Sequence, residues 1–489
     1  MGSPAGPGDG LFDESVVERV DPAVDAPADA NGGARKRFKA FDPDQALLVP
    51  PSLDEWLPEG HLSRFIAELV DSELDLSRFY ASYAKAKGQP PYEPRLMLRI
   101  VLYGYCVGVR SSRELERACT DVVAFRWLAG GQAPDFRSIG RFRQRHLAAL
   151  GNVFLQALEL CRAAGMVKLG QVALDGTKVR ANASRHKAMS YARLSEKQKV
   201  LAEEISDLMD EAKRVDDQED ARFGRGKRGD ELPKELADRQ RRAEAMAIAR
   251  ESLEAEAGQK ARAEAERKAR DRGKDDDDVT GAGRQAAASA VPKPSAQRCF
   301  TDPDARIMKT ADSSFHYCYN AQAVVDAGHQ VIIATELTNT ATDVQHLTPM
   351  ITRTRQNAGA MPKQWSADAG YASAANLDHA QEVEATGETE FFISTRRMKH
   401  AQPLPQSPRG RIPTNATATE RMARRLTTKK GRAAYARRKA IVEPVFGQIH
   451  TRQGKRILLR GLENAAAEWD LIAGCHNLLK LFTHRAQMA

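Results

Sequence analysis

The sequence predicts a mixed α/β protein, with an all-helical N-terminal domain and a long helical insertion after the first strand of its sheet. Three observations carry that expectation. From residue 39 to 166 the apolar side chains fall at helical spacing, as at Leu62, Phe65, Ile66 and Leu69. A single strand-like run, "QVALDGTKV", then precedes a charge-dense stretch from 186 to 296. Beyond 297, apolar strand-like runs alternate with helical ones, the order of a mixed sheet flanked by helices.

The bulk properties narrow the class. A chain of 489 residues, 42% of them hydrophobic, can bury a sizeable core, so it needs no disulfide staples. Its six cysteines lie far apart without a C-x-x-C pair, which reads as reduced, buried thiols in a cytoplasmic protein. Lys and Arg number 74 against 65 Asp and Glu, and the resulting +9 favours a polyanionic partner. No apolar run approaches the roughly 18 residues that a membrane span needs, and the first residues lack a basic end leading into an apolar core. Membrane spanning and secretion are therefore not expected.

Along the chain, residues 1–38 are rich in Gly, Ala, Pro and Asp and turn basic at "ARKRFKAF", the pattern of a disordered leader. In the helical domain, 39–166, "PDFRSIGRFRQRHL" has Ser138 placed to cap a helix presenting Arg141, Arg143, Arg145 and His146 close together. That helix is either a solvated basic face or a helix-turn-helix-like element holding DNA phosphates. The core is expected at 167–185 and 297–489. The insertion, 186–296, reads as an antiparallel helical hairpin with a Gly- and Arg-rich tip, and its end, "KDDDDVTGAGRQ", as flexible. In the core, "YNAQAVVD" and "QVIIATEL" read as strands joined by a tight turn, "KQWSA" and "TEFFIST" as further strands, and 343–356 and the stretch from 428 onward as helices.

Three acids stand at element ends: Asp175 in "ALDGTKV", Asp368 in "SADAGY" and Glu443 in "AIVEPVFGQIH". Singly, each has an ordinary reading as a turn former, a cap or a solvated side chain. Together they suit metal chemistry, because a pair of Mg²⁺ ions about 3.5–4 Å apart needs several hard oxygen ligands. Adjacent strand ends would bring Asp175 and Asp368 side by side. Pro444 interrupts the last helical pattern, so a helix is expected to begin or kink there. Asp343 reads as a helix cap rather than a fourth ligand.

The stretches "LDGTKVRANAS", "YNAQAVVD", "ADAGYAS" and "RRKAIVEPVFGQIHTRQGKRILLRGL", in this order, resemble the bacterial insertion-sequence DDE transposases with a helical N-terminal domain. The resemblance implies an RNase H-like core in which Asp175, Asp368 and Glu443 bind two Mg²⁺ or Mn²⁺ ions. It implies binding to the terminal inverted repeats of the element, metal-dependent strand cleavage and transfer, a homodimer that pairs two ends, and residence in the bacterial cytoplasm at the nucleoid. The family's tyrosine and arginine near the last acid correspond most nearly to Tyr435 and Arg438. Its lysine position holds His450, so Arg452 or Lys455 is an alternative source of that charge. Lys178, Arg180, Arg437, Arg438 and Lys439 are candidates to neutralise DNA phosphates, or else they are solubilising surface charges. Asn320 and Gln322 either support the metal ligands or make ordinary strand hydrogen bonds. Two other readings stand beside transposition: an RNase H-like nuclease that cleaves without joining, and a non-catalytic DNA-binding regulator.

Overall fold

Helix-capping chemistry delimits the N-terminal helices of the computed structural model. This structure describes residues 24–25, 37–38, 52–83, 90–184, 188–223, 234–396 and 410–488, with the side chains of 211–237 left aside. The chain divides into two units, Met1–Trp56 and Leu57–Ala489. Of the expected leader, the described part is an antiparallel pairing of Val24–Asp25 with Arg37–Phe38, and the rest lies outside the described residues.

In the second unit, α1 (Leu62–Glu68) runs into a π-helical turn, and α2 (Pro94–Val107) starts with proline in its first turn. Glu93 accepts from the Leu96 amide at the start of α2, and Gly108, with φ +87°, ends it. A capping box, Ser111 with Glu114, opens α3 (Ser112–Asp121). The cap of α4 (Phe136–Arg145) corrects the expectation. Asp135, not Ser138, accepts from the Arg137 and Ser138 amides, and the Ser138 hydroxyl lies inside the helix and donates to Asp135. A carboxylate three residues upstream reaches the free amides of the first turn, which Ser138 is too far along the helix to serve.

Helix α5 (Leu147–Ala163) lies along the C-terminal helix, where Gly474 permits close contact: a Cβ there would sit 3.1 Å from the Phe154 Cα. The apolar core runs without a break from Leu57 to Leu481, so the N-terminal helices and the sheet share one interior. A buried carboxylate ties the two ends of the chain together. Glu468 accepts from the Leu458 and Leu459 amides at 2.8 and 2.7 Å, from Tyr105 Oη at 3.2 Å and from Arg110 Nη1 at 3.3 Å.

The sheet has six strands: β1 (Gln171–Arg180), β2 (Arg306–Lys309), β3 (Phe315–Asp326), β4 (Ile332–Thr338), β5 (Gln364–Ala367) and β6 (Glu390–Ile393). Their spatial order is β6-β5-β1-β3, and both β2 and β4 pair with β3. β5 runs parallel to β1 and to β6, while the β1–β3, β3–β4 and β2–β3 pairs are antiparallel. The mixed character follows from the connections: the tight turn after Asp326 allows an antiparallel hairpin, and α9 (Leu347–Ala358) supplies the crossover that a parallel neighbour requires. The first half of β1 and nearly all of β3 are buried, and in β3 the buried run includes the polar Asn320 and Gln322. Helix α10 (Ala374–Ala385) links β5 to β6, and α11 (Ala418–Thr427), α12 (Lys429–Gln453) and α13 (Leu462–Met488) complete the chain.

The insertion contributes α6 (Tyr191–Phe223), α7 (Lys234–Asp271) and α8 (Asp276–Ala288). It leaves the core on a two-stranded antiparallel ribbon, Ala188–Ser190 with Gln297–Cys299. Helices Tyr191–Phe223 and Lys234–Asp271 then pack antiparallel over Leu194, Leu201, Met246, Ala249 and Leu253, with Tyr191 bonded to Glu254 and Arg239 to Glu204. The expected Gly- and Arg-rich tip lies outside the described residues. The stretch expected to be flexible is instead a third helix, Asp276–Ala288, packed on the second. Asp275 caps it and Asp276, Asp277 and Asp278 fill its first turn, so a run of acids that looks solvated favours the positive end of a helix.

Candidate active site

The parallel pairing of β1 with β5 sets Leu174 opposite Ala367, so Asp175 and Asp368 are the next residues on neighbouring strands. Each carboxylate is held by a nearby amide: Gly176 N donates to Asp175 Oδ1 at 2.9 Å, and Gly370 N to Asp368 Oδ1 at 2.8 Å. Burial pushes the Asp175 carboxyl above its ordinary range. The Arg438 guanidinium opposes that shift, and the neighbouring charge of Asp368 adds to it. Arg438 reaches in from α12, its Nη1 2.8 Å from Asp175 Oδ2, and lies over the Tyr435 ring at 6.0 Å.

A third carboxylate completes the site from an unexpected position. Asp343 makes no side-chain cap to the 3₁₀ turn that follows it, correcting the reading of this residue as a helix cap. Its Oδ1 instead accepts from Asn320 Nδ2 at 2.7 Å, Gln322 Nε2 at 2.9 Å and Lys178 Nζ at 3.2 Å. Burial pushes its carboxyl up, but the hydrogen bonds from Asn320, Lys178 and Gln322 outweigh this and hold it below the ordinary range. A Cβ on Gly370 would meet Asp368 Oδ1 at 2.9 Å and Asp343 Oδ2 at 3.2 Å, and one on Gly176 would strike Gln322 Nε2 at 2.5 Å. Both positions need glycine because the polar groups close in over the backbone. The buried Tyr371 hydroxyl donates to Gln322 Oε1, and it is held well above its usual pKa by burial and then by the charges of Asp343, Asp175 and Asp368.

Glu443 stands elsewhere. It is exposed on α12, about 140° round the helix from Arg438 at 100° per residue. No ion pair or hydrogen bond involves it among the described residues, and no three His, Cys, Asp or Glu side chains there converge into a metal-holding group. α12 passes through Pro444 as one helix. The carbonyl this proline leaves without an intrahelical donor, that of Ala440, accepts from Gln330 Nε2 at 3.2 Å, so the missing bond is replaced from outside.

The expected phosphate contacts divide. Arg141 and Arg145 are exposed on α4, whereas Arg143 is buried and donates to the Arg110 carbonyl at 2.9 Å and the Tyr105 hydroxyl at 2.5 Å. Arg143 is thus committed to the core, because its alternate position points it inward while its neighbours point out. Arg437 and Lys439 are exposed, and Lys178 is bound to Asp343. His450 is stacked on Phe446 at 6.4 Å, and its pKa is depressed by burial and then by Lys455. Asn320 and Gln322 are fully buried, each bonded to Asp343. Sequence reading missed Tyr371 and the placement of Asp343. The one available signal for both was a polar residue in an apolar setting, "YNAQ" facing "ATD" and "AGY" across the sheet.

Asp175 lies within β1 rather than at its end, and Asp368 just past β5; side by side, with the buried Arg438 against the first, they form a set of groups that suits phosphate esters. The comparisons with known proteins are consistent with it. Residues 51–145 match the family model described as Transposase domain (DUF772), and residues 295–478 match the Transposase DDE domain. Both matches are to transposase domains, and together they support an insertion-sequence DDE transposase. Asp175 and the insertion fall between the two matched spans. No curated protein and no solved structure matches the chain. Among the described residues no helix is long and apolar enough to cross a membrane.

Proposed function

We propose that this transposase binds the terminal inverted repeats of its element and uses divalent metal to cleave and then join DNA strands, on an RNase H-like core. The observation that carries the reading is the adjacent placement of Asp175 and Asp368 on parallel strands. These carboxylates fit Mg²⁺ or Mn²⁺: they are hard oxygen donors, they repel one another, and Mg²⁺ is commonly held by one or two carboxylates together with substrate phosphates. Bound there, a pair of ions would polarise the phosphodiester and activate the attacking water or 3′-hydroxyl. Glu443 enters as the third acid on the resemblance alone.

The chain's own groups have distinct tasks in this reading. Arg438 opposes the upward shift of the Asp175 carboxyl and so favours its ionised form, and Asp343 fixes Lys178 beside the acids, where its ammonium can meet a phosphate oxygen. Asn320 and Gln322 fix Asp343 in turn. Arg141 and Arg145 on α4, with Lys439 near the site, supply phosphate contacts, and His450 and Arg452 are outlying candidates for the same work. Synapsis of two ends calls for a homodimer, with the helical insertion as its clamp, in the bacterial cytoplasm at the nucleoid.

The test uses the DNA flanking the gene. Inverted repeats on both sides, bound by the protein and joined to a second duplex in Mg²⁺, support the reading. Cleavage without any joined product would identify a nuclease instead, and binding without cleavage a regulator.

A further inference from the structure

A second polar cavity opens at the N-terminal end of β1, beside the turn between β3 and β4. It has a volume of about 270 Å³ and is lined by Arg452, Lys480, His476, His329, His484 and Thr483, among others. Every ionisable group among its described lining residues is basic. Such a set is electrostatically unfavourable by itself, and its members show it. Lys480 is held below its usual pKa by burial and then by Arg452, and His476 is pushed down to about 3 by burial, with Lys480 and Arg452 adding to the effect.

The donors are also incompletely used. Lys480 Nζ donates to Gln330 Oε1 at 3.0 Å, and His476 Nε2 donates to the Gln330 carbonyl at 3.1 Å. His476 is 1% exposed; with its proton on Nε2, its Nδ1 is an acceptor buried without a partner, so the unused donor capacity of the pocket lies with Arg452. Arg452 has no ion pair or side-chain hydrogen bond among the described residues, although guanidinium groups in half-buried positions are ordinarily paired. The His329 and His484 rings meet edge to face at 5.0 Å and complete the wall. A concave site of one charge sign concentrates the opposite ion.

We propose that this pocket binds a phosphate group, with Arg452 and Lys480 as its two charged ligands. The shared chemistry is a tetrahedral oxyanion, and its sources are a backbone phosphodiester of DNA or free phosphate. The DNA source rests on the proposed reading of DNA as substrate. The phosphate site itself does not, and it shares no residue with the Asp175 and Asp368 pair.

The experiment uses the full-length protein and inorganic phosphate at constant ionic strength, followed by ³¹P line broadening, with Lys480→Gln and the double variant Arg452→Gln/Lys480→Gln for comparison. Saturable broadening in the wild type is expected, weakened roughly tenfold or more in the variants, the loss of a charge-assisted contact. A parallel arm measures binding to a non-specific duplex against salt. A slope smaller by about 1 for each lost contact identifies the backbone as source, and an unchanged slope with lost phosphate binding identifies free phosphate. Melting curves without phosphate confirm that each variant is folded, and the wild-type titration stands even if the double variant is not. Absence of saturable binding in the wild type, or equal binding in a folded Lys480→Gln, overturns the proposal. Retained phosphate binding in Asp175→Asn, alongside lost cleavage, separates this site from the catalytic reading.

Discussion

Arg438 Nη1 lies 2.8 Å from Asp175 Oδ2, with the guanidinium 8% and the carboxylate 19% exposed. This ion pair sits where a helix from the C-terminal region meets the first strand of the sheet, and it joins residues far apart in sequence. Burial raises the Asp175 carboxyl and Arg438 restrains that rise.

Removing Arg438 therefore has a defined direction. Asp175 acts as a ligand only when ionised, and Arg438→Gln removes the charge that favours ionisation, so its pKa moves further up. The acidic limb of the cleavage rate is expected to shift to higher pH in this variant. Single-turnover cleavage between pH 5 and 8 checks it, and an unshifted limb would show that Asp175 ionisation does not control the rate.

Asp343 and Glu443 should respond differently to neutral replacement. Asp343→Asn removes the negative charge shared by Lys178, Asn320 and Gln322 and leaves one carbonyl oxygen beside a new NH2 donor, and is expected to cost about 10–100-fold in cleavage together with some loss of stability. Glu443→Gln is expected to abolish cleavage and leave the melting temperature unchanged, because the side chain is exposed and free of described partners. Wild-type cleavage by Glu443→Gln would remove this residue from the site.

Glu468→Ala should destabilise the fold by about 3–5 kcal/mol, since it strands the buried Arg110 and frees two backbone amides. The midpoint of denaturant unfolding is the readout. A change below about 1 kcal/mol would mean that water replaces the carboxylate at little cost.

His476 gives an acid-side prediction. Its pKa in the folded chain is about 3, below the ordinary value of 6.5, so between these values the unfolded chain binds a proton that the folded one does not. Stability is fully present above 6.5 and is lost as pH falls toward 3, by up to about 1.4 kcal/mol per unit from this group. His476→Gln should flatten that dependence in unfolding measurements across the same range.

The sequence carried much of this site, for reasons that differ by residue. Asp175 and Asp368 were legible because each follows an apolar run, although β1 continues past Asp175 to Arg180 along β3 instead of ending at the acid. Asp343 was not legible, since "TATDVQHL" has the local form of a cap. Its task is set by Asn320 and Gln322, which reach it across the sheet. Arg143 was misjudged for the same reason: local spacing grouped it with Arg141 and Arg145, while packing against Tyr105 turned it inward. The side on which Glu443 emerges depends on how α12 rolls against the sheet, which short-range periodicity does not specify.

The central claim, that Asp175 and Asp368 are the metal-holding acids of DNA cleavage, is tested most directly by one measurement. Cleavage of a duplex carrying the element end is followed for the wild type, Asp175→Asn and Asp368→Asn in Mg²⁺ and in Ca²⁺, with DNA binding measured alongside. The wild type should cleave in Mg²⁺ and not in Ca²⁺, whose longer and looser coordination suits in-line displacement poorly. Each variant should lose about a thousandfold or more, the equivalent of several kcal/mol of transition-state stabilisation, while binding the duplex as tightly as the wild type. Cleavage at the wild-type rate by either folded variant in Mg²⁺ would contradict the account.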